Sequence, residues 1–173
     1  MHIACVTFSS VVKLMDPIRE SLVRVLDWEE AHAGFDKAFA GLTPQQRGAR
    51  APGFEHSPWQ LVEHLRRAQK DLLDFCLNPE YVHRLKWPED YWPADPEPPA
   101  PRAWDESIAD FHADLEQFRE LIRNPAIDLF ALVPTGKGNQ TYLRTCFLLV
   151  DHNAYHVGQL VAVRKALGNW APV

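Results

Sequence analysis

The sequence predicts an all-α protein, a four-helix bundle with a long proline-rich crossover between its second and third helices. Three observations favour this fold. Apolar residues recur every three or four positions in four segments, no segment alternates like a β-strand, and no internal repeat is present. With 173 residues, 46% of them hydrophobic, the chain can bury one substantial core.

The first helix is predicted to begin at Asp16, which can cap it, and Pro17, which suits a first helical turn because its missing N–H needs no partner there. Helical periodicity continues to about Ala40, and Gly41 ends it. Met15 directly precedes this start. Either Met15 is the natural start or residues 1–14 form a loose N-terminal arm, with the bundle assigned to residues 15–173.

The second helix has the clearest start signal in the chain. Ser57 is a capping residue, Pro58 suits the first turn, and Gln60 completes a capping box. Apolar residues then recur at helical spacing, and His64 adjoins this apolar stripe. Asn78 and Pro79 are predicted to end the helix.

The next segment, residues 78–101, contains seven prolines and is predicted to form neither a long helix nor a central strand. It also carries four large aromatic residues, Tyr81, Trp87, Tyr91 and Trp92, which a flexible linker would not need. Two interpretations stay open: a surface connection whose aromatic residues pack on the core, or a lid over one end of a pocket.

The third helix is predicted to begin near Ala103 and to end before Asn124-Pro125, because apolar residues recur every three or four positions between these points. After a connection of about 17 residues, the fourth helix is predicted from Thr141 to Leu167, with Gly168 as its end signal.

Composition excludes several classes of protein. The net charge of −5 and the lack of a basic stripe argue against nucleic-acid binding, and no apolar run is long enough to cross a membrane. Three widely spaced cysteines without a CxxC motif favour a reducing, cytoplasmic location over a disulfide framework. Cys76 and Cys146 are interpreted as small core residues.

Two histidines in the fourth helix carry the main functional signal. His152 and His156 are four positions apart, so on a helix their Cβ atoms lie on one face about 5–6 Å from each other. Two imidazoles at this spacing can bind one divalent ion at about 2.0–2.1 Å, and a third ligand from another helix would leave positions open for water or substrate. From spacing alone, ordinary buried or surface histidines remain an alternative.

Two segments resemble the signature helices of the DinB superfamily, a group of DinB/YfiT-like metalloenzymes. They are residues 151–160 (Asp-His-Asn-Ala-Tyr-His-Val-Gly-Gln-Leu) and residues 57–65 (Ser-Pro-Trp-Gln-Leu-Val-Glu-His-Leu). The resemblance implies a DinB-type bundle and a metal triad of His64, His152 and His156. It also implies hydrolase-like chemistry, or transferase or isomerase chemistry that uses a low-molecular-weight thiol, and it makes a homodimer plausible.

The expected cofactor is a divalent transition metal, zinc or nickel in the first place and iron or manganese as alternatives. Gln159 lies one turn beyond His156 and is the candidate for a hydrogen bond to a water molecule held there, while Glu63 and Asp151 are weaker candidates for orienting an imidazole. Asn153 and Tyr155 are interpreted as structural, because they point away from the histidine face of a regular helix.

Two alternatives to a metalloenzyme stay open. One is a homodimeric metal-binding bundle without catalysis that acts as a stress-associated binding protein. The other is a helical domain whose buried histidines are hydrogen-bonded and hold no metal.

Overall fold

The computed structural model describes residues 8–27 and 31–170, and within these ranges every regular element is a helix. Four helices are long: α1 (Phe8–Val25), α4 (Pro58–Leu77), α5 (Ala103–Arg123) and α6 (Tyr142–Ala166). Two are short, α2 (Phe35–Phe39) and α3 (Pro44–Gly48), and a single 3₁₀ turn spans Glu89–Tyr91. No strand is present in the described part of the chain, where Leu132 and Thr141 form an isolated bridge.

Helix α4 lies at the centre of the packing, in contact with both α5 and α6. Helix α1 packs on α5, and α2 packs on α6. One apolar core runs between these helices and includes the fully buried rings of Phe111 and Phe118. None of the helices described is long and apolar enough to cross a membrane.

The predicted boundaries of the three later long helices are confirmed. Helix α4 begins with the predicted capping box, in which the Ser57 hydroxyl accepts a hydrogen bond from the Gln60 backbone N–H and the Gln60 side chain accepts one from Ser57 N–H. Helix α6 begins after the capping residue Thr141 and ends before Gly168, which has a left-handed φ of 70°.

The prediction of one first helix from Asp16 to Ala40 is wrong. Helix α1 begins at Phe8, contains Pro17 and ends at Val25. Among the described residues that follow Asp27, helical structure returns at α2, after Gly34, whose backbone is extended. The break lets Phe35 and Phe39 pack against Phe111 of α5, with ring centroids 4.7 and 5.6 Å apart, an arrangement that tertiary packing selects over local periodicity. His2 and Cys5, in the predicted arm, lie outside the described residues.

Helix α3 occupies part of the segment predicted to be a connection. Thr43 and Gln46 form a capping box around Pro44, the same arrangement as in Ser57-Pro58-Trp59-Gln60. The start signal was therefore present in the sequence. The helix that follows has only five residues and buries none of them, so no apolar periodicity accompanies the signal.

The proline-rich segment contains no helix longer than the single turn Glu89–Tyr91, as predicted. It is fixed to α4 by side-chain hydrogen bonds. The hydroxyls of Tyr81 and Tyr91 both donate to the Asp71 carboxylate, at 2.7 and 2.5 Å, and Gln60 Nε2 donates to the Pro93 carbonyl at 2.9 Å. The crossover is thus a packed part of the fold.

A buried amide pair joins the three central helices next to His152. Gln69 Nε2 on α4 donates to the Phe111 carbonyl of α5 at 2.6 Å, and Asn153 Nδ2 on α6 donates to Gln69 Oε1 at 3.0 Å. Gln69 is completely buried and Asn153 nearly so. This agrees with the structural role predicted for Asn153.

We expect Gln69→Ala to lower the free energy of unfolding by about 2–4 kcal/mol, because it leaves a cavity and removes the partners of the Phe111 carbonyl and of Asn153 Nδ2. Urea denaturation at neutral pH measures the change. Gln117→Ala, at an exposed helical position of α5, is the matched control and should change stability by no more than about 0.5 kcal/mol. Equal effects of the two substitutions would contradict the role assigned to Gln69.

Candidate metal centre

The packing of α4 on α6 brings three histidines together. His64 projects from α4, and His152 and His156 project from one face of α6. The Nε2 atom of His64 lies 3.1 Å from Nε2 of His152 and 3.1 Å from Nε2 of His156. The potential ligand atoms of the three side chains all lie within 4.8 Å of one another, so this group could hold a metal ion.

The outer nitrogens of two imidazoles show which nitrogen carries the proton. His156 Nδ1–H donates to the Gln159 amide oxygen at 2.7 Å, and His64 Nδ1–H donates to the Tyr91 backbone carbonyl at 3.3 Å. Both partners are oxygens that only accept hydrogen bonds, so the protons belong on Nδ1. The Nε2 atoms of these two histidines therefore point lone pairs at each other.

Two lone pairs 3.1 Å apart repel unless a proton or a cation lies between them. Three neutral imidazole nitrogens are the ligands that zinc, nickel, iron and copper accept, and nitrogens bound at about 2.0–2.1 Å around a tetrahedral ion are about 3.3 Å apart. The spacing and the donor set thus fit a transition-metal ion. His152 Nδ1 is buried and has no hydrogen-bond partner among the described residues, unlike the other two rings.

Burial keeps the three rings neutral. Desolvation, together with the neighbouring imidazoles, lowers the pKa of His64 to about 3 and that of His156 to about 4. Burial also lowers the pKa of His152. At neutral pH the rings are unprotonated, which is the form that binds metals.

Aromatic residues of the crossover border this centre. The Trp92 ring stacks on His64 with centroids 3.8 Å apart and on His56 at 3.7 Å, so the indole lies between two imidazoles. Trp87 is 61% exposed, and its ring centroid lies 6.1 Å from that of His64 and 6.5 Å from that of His152. The crossover therefore packs on the core and forms one wall of the site.

Glu63 and Asp151 do not orient the imidazoles. The Glu63 carboxylate is buried between Arg66, Arg67 and Ser107, and hydrogen bonds from these residues hold its pKa below its usual value although burial opposes this. It joins α4 to α5 through Ser107 at 2.9 Å. Asp151 is exposed.

The two described cysteines, Cys76 and Cys146, are buried and unpaired, as predicted, and burial raises the pKa of each thiol to about 12. Thiols with so high a pKa are poor nucleophiles at neutral pH, because the reactive form is the thiolate. This agrees with their interpretation as core residues.

Three features of the site were not predicted. The sequence did not indicate that the Tyr91 carbonyl accepts from His64, nor that Trp92 stacks on that ring. The only signal for them was the concentration of aromatic residues in the proline-rich segment. Tyr155, interpreted as structural, packs its ring against His156 at 4.9 Å and accepts a hydrogen bond from Gln159 at 3.0 Å.

The lowered pKa values predict that the metal-free protein loses stability as pH falls below about 6.5. The unfolded chain then binds protons that the folded chain excludes, so each imidazole that stays neutral removes up to about 1.4 kcal/mol of stability per pH unit. Urea denaturation between pH 6.5 and 5 measures the slope. His152→Ala/His156→Ala should have a shallower slope, and equal slopes would show that these rings are not kept neutral by the fold.

Comparison with known proteins identifies a family. The family model described as mycothiol S-transferase matches residues 21–168, a range that includes all three histidines, Gln159 and the whole crossover. A search of curated proteins and a search of solved structures gave no significant match. The matched family is DinB/YfiT-like, which confirms the resemblance to the DinB superfamily. The chain belongs to the mycothiol S-transferase family.

Proposed function

We propose that this protein is a metal-dependent thiol S-transferase in which His64, His152 and His156 hold a divalent ion. The convergence of three imidazole nitrogens, two of them 3.1 Å from His64 Nε2, carries the proposal. The family name supports mycothiol as the thiol substrate. In the same proposal α1, α4, α5 and α6 form a four-helix bundle of the DinB type. We assign residues 15–173 to this domain, and the first turns of α1, from Phe8, precede that boundary.

The proposed reaction joins the substrate sulfur to an electrophilic carbon. A sulfur–carbon bond forms, the sulfur–hydrogen bond breaks and its proton leaves to solvent, and the bond from the carbon to its leaving group breaks, with the electron pair departing on the leaving group. A divalent ion at three neutral ligands keeps most of its charge and would supply Lewis acidity that lowers the pKa of a thiol. Zinc and nickel are the ions we favour, and iron and manganese are the alternatives.

Two neighbouring groups hold His64 and His156 in the tautomer that can bind a metal. Gln159 and the Tyr91 carbonyl accept the Nδ1 protons of His156 and His64, so that Nε2 of each ring faces inward. Trp92 covers one face of His64 and keeps it out of water. His152 is the partly exposed member of the three and lies near the exposed Trp87, so we place the substrate on this side.

A second candidate is a homodimeric bundle that holds a metal without catalysis, as a stress-associated binding protein. The exposed apolar side chains of Phe147 and Leu148 on α6, 56% and 41% exposed, favour a self-association surface. The two candidate functions predict different effects of removing the metal with a chelator. A catalytic site should lose activity with little change in stability, whereas a structural site should lose much of its thermal stability.

We expect protein purified without an affinity tag or chelator to contain close to one metal ion per chain, and His152→Ala/His156→Ala to contain almost none, because a single remaining imidazole binds weakly. Elemental mass spectrometry measures the content. His32→Ala/His83→Ala, which removes two exposed histidines, is the matched control and should keep its metal. A metal-free parent that zinc, nickel, iron and manganese all fail to load would refute the proposal.

Gln159→Leu should weaken metal binding by about tenfold, because His156 Nδ1 loses its acceptor and the ring loses its fixed tautomer. Competition with a chromophoric chelator measures the affinity. Gln159→Glu keeps an acceptor oxygen at this position and should retain or increase the affinity. Equal affinities for the leucine variant and the parent would show that Gln159 does not orient His156.

A further inference from the structure

Tyr155 is an exposed residue in contact with the candidate metal centre. Its side chain is 63% exposed, although its ring centroid is only 4.9 Å from that of His156, at an interplanar angle of 78°. Trp87, 61% exposed, lies near His64 and His152. Two exposed aromatic rings thus lie beside the three imidazoles.

A hydrogen-bond chain connects the Tyr155 hydroxyl to His156. His156 Nδ1–H donates to Gln159 Oε1 at 2.7 Å, and Gln159 Nε2–H donates to Tyr155 Oη at 3.0 Å. In the last bond the tyrosine oxygen is the acceptor. Its own O–H has no acceptor among the residues that the structure describes.

The metal-binding tautomer of His156 requires the Gln159 amide to accept from His156 and to donate to Tyr155. With the Gln159 amide reversed, its N–H group would donate to a lone pair on His156 Nδ1, and the ring proton would move to Nε2. That proton would then occupy the position where a ligand lone pair is needed. A lone pair on Nε2 therefore implies that Gln159 donates to Tyr155, which leaves the phenolic proton for another acceptor.

We propose that the Tyr155 hydroxyl donates a hydrogen bond to an acceptor oxygen of the thiol substrate bound at the three-histidine centre. This inference rests on the proposed function and adds a substrate-binding residue to it. The exposed position of the ring and its fixed hydroxyl oxygen make the donor available without rearrangement of the site. No bond other than the hydrogen bond forms or breaks, so the phenol remains protonated.

The test uses the cobalt(II)-loaded full chain, whose absorption spectrum reports ligand binding at the metal. Mycothiol is titrated into the parent, Tyr155→Phe and Tyr142→Phe. Tyr155→Phe should raise the Kd for mycothiol about five- to tenfold, the size expected for one lost hydrogen bond. Tyr142→Phe makes the same substitution at the start of α6 and should leave the Kd unchanged within twofold.

Two further measurements separate substrate binding from an effect on His156. The cobalt affinity of Tyr155→Phe should equal that of the parent within twofold. Ethanethiol, which has a thiol but no oxygen, should bind parent and Tyr155→Phe equally. A variant that binds ethanethiol more weakly, or that loses cobalt affinity, would show that Tyr155 acts through the metal ligand and would overturn the inference.

The remaining outcomes distinguish the inference from the proposed function. If the loaded parent binds mycothiol and Tyr155→Phe binds it equally well, the inference alone is overturned. If the loaded parent binds ethanethiol but not mycothiol, both the assignment of mycothiol and the role of Tyr155 are overturned, while the metal site stands.

Discussion

The convergence of three imidazole nitrogens is the constraint on which the rest of the site depends. Lone pairs that face each other at 3.1 Å are unfavourable in a buried environment unless a positive charge lies among them. The fold nevertheless holds His64, His152 and His156 in this arrangement, with α4 packed directly on α6. Burial lowers the pKa of His64 and His156, so these rings are unprotonated at neutral pH. Their nitrogen lone pairs are then available to bind a metal cation.

Contacts on the outer sides of two of the rings, His64 and His156, hold them in place. The Tyr91 carbonyl and the Gln159 amide select the tautomers of His64 and His156, and Trp92 fixes the plane of His64 by stacking. Next to the centre, Asn153 Nδ2 on α6 donates to Gln69 Oε1 on α4, so sliding one helix along the other would break this buried hydrogen bond. Ligand geometry and core stability are therefore linked through the same helix pair.

The proline-rich crossover supplies several of the contacts that the histidines make. Prolines prevent it from forming a long helix, and tyrosine hydroxyls that donate to Asp71 attach it to α4. Once attached, it presents one backbone carbonyl and two indole rings to the histidines. The Tyr91 carbonyl can accept from His64 because Tyr91 is the last residue of the short 3₁₀ turn, where no later N–H group of the described chain uses its oxygen.

The sequence by itself determined the features that depend on near neighbours. The capping box at Ser57, the end of α6 at Gly168 and the common face of His152 and His156 all follow from residues within about one helical turn. The place of His64 in the triad came from family resemblance rather than from spacing. Only the tertiary structure decided the break before α2, the salt-bridged role of Glu63 and the contacts of Tyr91, Trp92 and Tyr155 with the site. These depend on which distant groups meet, and local periodicity carries no information about contacts between segments far apart in the chain.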